Sequence, residues 1–318
     1  METIIAGDIG GTNSRLAVFT KGNDQEIIFN SEIWEETNSC DSFTELLTTI
    51  KGKDHRFDPA KYHKIVMAVP GPVTSEERLA FPNVKWQISK SVINKTYPET
   101  SFTFINDFIA QAFGCLTIAA ADARPIIKSK TSWPGRPDLA IVGAGTGTGH
   151  GALKVYGGKL IPFPSEAGHA HFPFITKEEL GFRDFLAART GAPYPICNDV
   201  VSGQGLSRLH QFLTGRQLSP GETASELTSE SATTRWFSRF YARACRNYAL
   251  IALASGGRLF VSGGVAIKNP VLVDNDIFRN EFLDCSSNIN LLNTISVSLI
   301  RNERIGLYGA AYYAFQAR

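Results

Sequence analysis

One layout occurs twice in this chain. Thr3-Ile-Ile-Ala-Gly-Asp-Ile-Gly-Gly-Thr-Asn-Ser-Arg-Leu-Ala-Val-Phe19 is an apolar run, a Gly/Thr turn and a second run. Leu139-Ala-Ile-Val-Gly-Ala-Gly-Thr-Gly-Thr-Gly-His-Gly-Ala-Leu-Lys-Val155 repeats it, with Gly7, Gly11 and Thr12 falling on Gly143, Gly147 and Thr148. The separation far exceeds the roughly 20–50-residue period of a solenoid. It suits two halves, each opening with a hairpin around a glycine-packed turn. A length of 318 residues agrees with two domains at roughly 150 residues each.

The patterns between the hairpins read as mixed α/β. The first half holds a helix after Asp41-Ser42 with Phe43, Leu46, Leu47 and Ile50 on one face, then a buried strand from Lys64 to Val69. Strands at 78–81 and 85–88, a short helix from Ser89 to Asn94 and a strand from Ser101 to Ile105 follow. In the second half a capping box at Thr176-x-x-Glu179 opens a helix that Gly191 closes. The longest helix starts near Arg235 with Trp236, Phe240 and Tyr241 on its apolar face. A strand from Arg258 to Ser262, a helix after Pro270, a strand from Thr294 to Ile300 and a terminal helix complete the order. The expected domains are a small α/β domain at 1–107, with the helix 305–318 packing back on it, and a larger one at 108–304. No Pro/Gly/Ser-rich linker separates them, so a rigid core seam near residues 106–139 is expected, and the boundary at Asn106-Asp107 is the expected cleft.

Composition narrows the partners. Hydrophobic residues make up 43% and charged residues 19%, which supplies buried cores and excludes disorder. Lys plus Arg total 32 against 30 Asp plus Glu, with no run of five like charges, so no nucleic acid is expected. The apolar stretch from Phe108 to Ala121 is shorter than the roughly 18 residues of a spanning helix, so it reads as a core helix and no membrane is expected. The N-terminus carries Glu2 and no basic residue before Arg15, unlike a secretion signal. Cys40, Cys115, Cys197, Cys245 and Cys285 form no C-x-x-C pair, which points to a reducing cytoplasm. A small-molecule partner remains.

Five segments carry chemistry. In Asp8-Ile-Gly-Gly-Thr-Asn13 the glycines allow successive N–H groups to converge on phosphate oxygens, and Asp8 at the strand end could hold magnesium, which favours carboxylates and phosphates. The alternative is a plain hairpin turn; the joint presence of Asp8 and Thr12 favours phosphate. Gly143-Ala-Gly-Thr-Gly-Thr-Gly149 reads as a second cradle. Its Gly147-Thr-Gly149-His-Gly-Ala152 fits a loosened dinucleotide fingerprint, but a strand follows where that motif needs a helix, and no G-x-x-x-x-G-K-[ST] occurs. The strand Leu259 to Ser262 runs into Gly263-Gly264, a candidate surface for a flat ring such as adenine. In Phe104-Ile-Asn-Asp-Phe108 a strand gives way to a helix. Asn106 or Asp107 is there either an ordinary N-cap or a carboxylate placed to take a proton from a substrate hydroxyl. Pro164-Ser-Glu-Ala-Gly-His-Ala-His171 offers Glu166 and His169 to sugar hydroxyls more economically than to a metal, because no H-E-x-x-H or cysteine trio accompanies them; His171 reads as structural.

In this order the motifs resemble the bacterial-type glucokinases of the actin-like sugar-kinase and chaperone ATPase superfamily. The likeness runs from D-x-G-G-T-N at Asp8 through I-N-D-F at Ile105, G-A-G-T-G at Gly143 and E-x-G-H at Glu166. It continues through V-x-S-G-x-G-L at Val200 to S-G-G at Ser262. The resemblance implies a two-domain actin-like (ribonuclease H-like) α/β fold with duplicated mixed sheets flanked by helices. It implies transfer of the γ-phosphoryl group of ATP to the 6-hydroxyl of glucose. Carried over, Asp107 is the base, and Asn106, Asp107, Glu166 and His169 bind sugar. Gly10, Gly11, Thr12 and Asn13 with Gly145, Thr146, Gly147 and Thr148 resemble the family's two phosphate hairpins; Gly263 and Gly264 stay the candidate adenine surface and Asp8 the candidate magnesium ligand read from the residues themselves. A homodimer is the family's habit, and Trp236, Phe240 and Tyr241 would serve it if one side of the long helix were uncovered.

One position departs from the pattern. The family's further sugar-binding glutamate falls on Asn198 in Cys197-Asn198-Asp199-Val200, where an amide replaces a carboxylate and Asp199 is a candidate to rotate in. Kinases for another hexose, and a non-catalytic sugar- or nucleotide-binding regulator of the same superfold, are the alternatives.

Overall fold

The computed structural model describes all residues except 24, 25, 134, 317 and 318. The chain divides into two compact units, Met1–Ala121 with Arg304–Arg318, and Asp122–Glu303. The first unit contains β1 (Thr3–Ile9), β2 (Asn13–Lys21), β3 (Ile27–Glu36), α1 (Phe43–Lys53) and β4 (Lys64–Val69). After these come the two-residue strands β5 (Arg78–Leu79) and β6 (Ile88–Ser89), α2 (Lys90–Thr96), β7 (Ser101–Asn106) and α3 (Asp107–Gly114). The second contains β8 (Arg124–Ile127), β9 (Leu139–Ala144), β10 (Thr148–Tyr156), β11 (Lys159–Ser165), α4 (Lys177–Thr190), α5 (Cys197–Val200) and α6 (Gly203–Thr214). It continues with α7 (Pro220–Ser225), α8 (Ala232–Ala252), β12 (Gly257–Ser262), α9 (Gly264–Lys268), α10 (Asp276–Leu283), α11 (Ile289–Leu292) and β13 (Ile295–Leu299). The last helix, α12 (Ile305–Gln316), returns to the first unit.

The repeat in the sequence is a repeat in topology. The first sheet has the order β3-β2-β1-β4-β7 and the second β11-β10-β9-β12-β13-β8. In each, the glycine hairpin and its third strand form an antiparallel meander, and two further strands add in parallel beside the first. The chain is therefore a mixed α/β protein with two duplicated sheets flanked by helices. The second sheet carries the extra antiparallel strand β8, which the sequence patterns did not indicate.

Local rules explain the helices. Ser42 caps α1 by accepting from Glu45 N at 3.1 Å, and the i, i+3, i+4, i+7 set Phe43, Leu46, Leu47 and Ile50 is fully buried. In α12, small residues permit backbone approach. A Cβ on Gly309 would lie 1.6 Å from the Ala110 carbonyl oxygen, and one on Gly114 would lie 2.1 Å from that of Ile305. Leu307, Ala310, Ala311 and Ala314 share a core with Ile4, Ala6, Phe19 and Val66 of the sheet. This packing of α3 against α12 sets the first unit's boundary at Ala121, where 107 was expected. Residues 317 and 318 of the expected terminal helix lie outside the described residues.

Other expectations need correcting. The apolar stretch from Phe108 to Ala121 is not one helix: α3 stops at Gly114 and a 3-10 turn covers Ile118–Ala120. The strand β11, which the sequence patterns did not indicate, contains Pro162 and Pro164; it lies at a sheet edge, where missing N–H donors cost little, and Glu166 directly follows its end. The dinucleotide reading still fails, since β10 and β11 form antiparallel hairpins with no crossover helix. The long helix α8 offers no open aromatic side for a dimer. Phe240 and Tyr241 are fully buried and Trp236 is half-buried against Phe212 and Phe240.

The same helix carries a buried charge cluster. Arg243, 1% exposed, donates to Glu179 Oε2 at 2.7 Å, Glu179 Oε1 at 3.1 Å, Glu281 Oε1 at 2.8 Å and the Pro173 carbonyl at 2.9 Å. Burial pushes the Glu179 carboxyl up, but Arg243 and the Ile175 N–H outweigh it and hold it below the ordinary range. Removing one member of such a pair leaves an uncompensated buried charge. Arg243→Ala is therefore expected to lower the unfolding free energy by about 3–5 kcal/mol, read as a fall in the urea midpoint.

Candidate active site

In the first unit the hairpin between β1 and β2 is held by its carbonyls. Gly10 O accepts from Thr37 Oγ1 at 2.7 Å, Gly11 O from Asn38 Nδ2 at 3.0 Å and Thr12 O from Thr37 N at 2.8 Å. Asn38 also donates to Asn83 O at 3.0 Å, and the Trp86 indole donates to Thr37 O at 3.1 Å. Glycine is required at 10 and 11, where a Cβ would meet Asn13 O at 2.8 Å and Asn83 Cβ at 2.9 Å. Among the described residues the Gly11 and Thr12 N–H groups find no acceptor within the protein. Two consecutive amides, with their own carbonyls tied behind them, form a concave donor set suited to an anion.

Asp8 stands at the foot of this hairpin. Its Oδ2 lies 3.8 Å from Arg15 Nη2, and a Cβ on Gly306 in the first turn of α12 would be 3.6 Å from the same oxygen. Burial pushes its carboxyl up and the Arg15 charge opposes that. At the same carboxyl end of the sheet, two strands away, β7 hands over to α3. Asn106 caps that helix, its Oδ1 accepting from Phe108 N at 3.0 Å and Ile109 N at 3.1 Å while its Nδ2 donates to Gly71 O at 3.1 Å. Asp107 occupies the first helical position and its Oδ1 accepts from Phe108 N at 2.9 Å. The two readings of this pair are thus divided: Asn106 is the cap, and Asp107 is a half-buried carboxylate beside the helix N-terminus, which favours its ionised form.

The second unit builds a matching hairpin from other partners. Gly145 O accepts from Gly203 N at 2.9 Å, Gly145 N donates to Gly147 O at 2.8 Å and Thr148 Oγ1 donates to Val201 O. The Thr146 and Gly147 N–H groups find no acceptor among the described residues. Neither Gly145 nor Gly264 meets any atom within 4 Å of an added Cβ, so internal packing does not demand glycine there and both faces are open to a ligand. Gly263 differs: its φ is +84° and a Cβ would lie 2.3 Å from the Ala144 carbonyl oxygen.

Asn198 is tied into this hairpin. Its Oδ1 accepts from Thr148 N at 2.7 Å and lies 3.3 Å from where a Gly147 Cβ would be. A Cβ on Gly168 would fall 2.2 Å from Thr148 O and 2.5 Å from Asn198 Oδ1, which explains the glycine of the E-x-G-H turn. The glycine hairpin, Asn198 and that turn are thus one packed assembly. Glu166 and His169 flank Gly168 with exposed side chains, His169 Nε2 lying 3.9 Å from Glu166 Oε2. Asp199 does not substitute for the missing carboxylate. Its Oδ2 accepts from Ile196 N at 3.0 Å and its Oδ1 pairs with Arg208 at 3.4 Å. His171 packs against Tyr194 with ring centroids 3.7 Å apart and the planes tilted by 40°.

Comparison with known proteins fits this geometry. A family model described as glucokinase matches residues 5–317. The chain belongs to the glucokinase family. A curated glucokinase from Nostoc sp. is 29% identical over 99% of both chains, and one from Nitrobacter hamburgensis is 29% identical over 96% of this chain and 95% of its own length. A crystal structure of glucokinase from an Antarctic psychrotroph superposes with TM-score 0.82 at 22% identity, covering 100% of both chains. One from Balamuthia mandrillaris in complex with glucose gives 0.81 at 19%, covering 99% and 94%. A ROK family glucokinase from Streptomyces griseus in complex with glucose and AMPPNP gives 0.64 at 18%, covering 99% and 100%. These likenesses establish the fold as that of the glucokinase-type sugar kinases.

Sequence reasoning missed the groups that fix the glucokinase-family hairpins. Thr37 and Asn38 follow a strand as an ordinary polar pair, and Gly168 sits inside a motif read for its Glu and His. Only the packing identifies them. Loss of the Asn198 carbonyl leaves the Thr148 N–H without its acceptor. Asn198→Ala is expected to lower the unfolding free energy by about 1–3 kcal/mol, measured by urea unfolding.

Proposed function

We propose that this protein transfers the γ-phosphoryl group of ATP to the 6-hydroxyl of glucose. The observation that carries the reading is the pair of hairpins, each with its carbonyls turned into the protein and two consecutive amides left for an anion. Backbone donors fixed in advance suit phosphoryl transfer, whose loose transition state gains most from positioning and charge neutralisation.

In this reading Asp107 accepts the proton of the 6-hydroxyl, and Glu166 and His169 hold other hydroxyls of the sugar. Asn106 serves mainly by capping α3 and has one amide N–H beyond its bond to Gly71 for a hydroxyl. Gly264 offers an open backbone face to the adenine ring, and Gly263 makes the tight turn that leads into it. Asp8 fits magnesium: a single hard carboxylate leaves most of an octahedral shell to water and phosphate oxygens, as this ion prefers. When bound there, the ion would neutralise phosphate charge. Five cysteines that stay as thiols agree with a cytoplasmic setting.

The hexose is the part of this reading that Asn198 qualifies. Its carbonyl is held by Thr148, so it offers a sugar an N–H donor where a carboxylate would offer an acceptor. Kinase activity on another hexose is therefore the second reading. A coupled ADP-release assay with ATP, magnesium and a panel of hexoses tests both. Glucose-dependent turnover is expected; turnover on a different hexose alone selects the second reading, and turnover on none contradicts both. Asp107→Ala is expected to lose about 10²–10⁴-fold in turnover at unchanged melting temperature. Near-normal turnover would remove Asp107 from the role of base.

A further inference from the structure

We propose that Tyr241 is a positioning residue for nucleotide binding, its hydroxyl fixing the two glycine turns of the second unit relative to each other. The proposal rests on the reading that these turns hold ATP.

β9 and β12 are parallel neighbours whose last paired residues are Gly143 and Ser262. At the next residue of β9 a side chain joins the two strands. Ala144 N donates to the Tyr241 hydroxyl at 2.9 Å, and that hydroxyl donates to Ser262 O at 3.0 Å. A side chain from α8 thus bonds to both strands at their carboxyl ends. Gly145 follows Ala144 and opens the phosphate hairpin; Gly263 follows Ser262 and begins the Gly-Gly turn. In open α/β sheets, ligands bind just outside the carboxyl ends of such strands. The hydroxyl sits at the root of both turns at once.

The surroundings hold it there. Tyr241 is fully buried, with its ring edge-on to Phe237 at 6.0 Å and Phe278 at 6.3 Å. Burial raises its pKa well above the ordinary value, so the hydroxyl keeps the proton it donates. Both roles, donor and acceptor, are used, and no apolar residue could fill either. A phenylalanine would keep the ring contacts, remove both hydrogen bonds of the hydroxyl and loosen the tie between the two strand ends.

Tyr241→Phe separates this role from simple stability. Calorimetry with AMPPNP and steady-state kinetics are compared with Phe278→Leu, which loosens the same core but keeps the hydroxyl. Y241F is expected to raise the AMPPNP Kd and the KM for ATP about tenfold while the KM for glucose stays within twofold; F278L is expected to lower the melting temperature without moving either nucleotide constant. An AMPPNP Kd within twofold of wild type in Y241F overturns the assignment alone. Absence of AMPPNP binding by the wild type overturns the nucleotide reading and the assignment with it. If Y241F does not fold, hydrogen exchange on the wild type decides: AMPPNP should slow the Ala144 amide, and an unchanged rate overturns the proposal.

Discussion

The hydrogen bond from Thr148 N to Asn198 Oδ1 ties the glycine hairpin of the second unit to α5. Thr148 also anchors its own hydroxyl on the Val201 carbonyl, and Gly203 N caps Gly145 from the same segment. With the hairpin laced to 198–203 in this way, the E-x-G-H turn can approach only if its middle residue has no side chain, which is why Gly168 stands between Glu166 and His169. The glycine hairpin and the turn that presents a carboxylate and an imidazole are therefore not independently adjustable.

The first unit solves the same problem with different groups. Thr37 and Asn38, at the end of β3, take the carbonyls of Gly10, Gly11 and Thr12, and Trp86 and Asn83 hold that loop in turn. The duplicated sheet order supplies two strand-turn-strand frames, and side chains outside the repeat convert each turn into a donor surface. This explains how a chain with a net charge of +2 can be suited to a polyanion: the donors are backbone amides, which a Lys and Arg count does not register.

Legibility in the sequence followed the range of the interactions. The glycine hairpins, the strand after Gly149, the Ser42-capped helix and the α8 face were readable because a turn, a cap or a periodic face is set by neighbours in the chain. β11 was hidden by Pro162 and Pro164, whose meaning depends on lying at a sheet edge. The domain boundary was placed too early because α3 belongs to the unit that α12 completes, a contact between residues almost two hundred positions apart. Asn198 was recognisable as a departure, but its bond to Thr148 was not, and Tyr241 was indistinguishable from the apolar residues around it.

The central claim is a chemical one, that phosphoryl transfer ends on the 6-hydroxyl of a hexose. The phosphorus NMR spectrum of the product made from ATP and glucose labelled with carbon-13 at its 6-carbon reads that atom directly. The account predicts a phosphomonoester resonance coupled to the labelled carbon and formed only when sugar is present. Inorganic phosphate alone, or a phosphomonoester without that coupling, would contradict it.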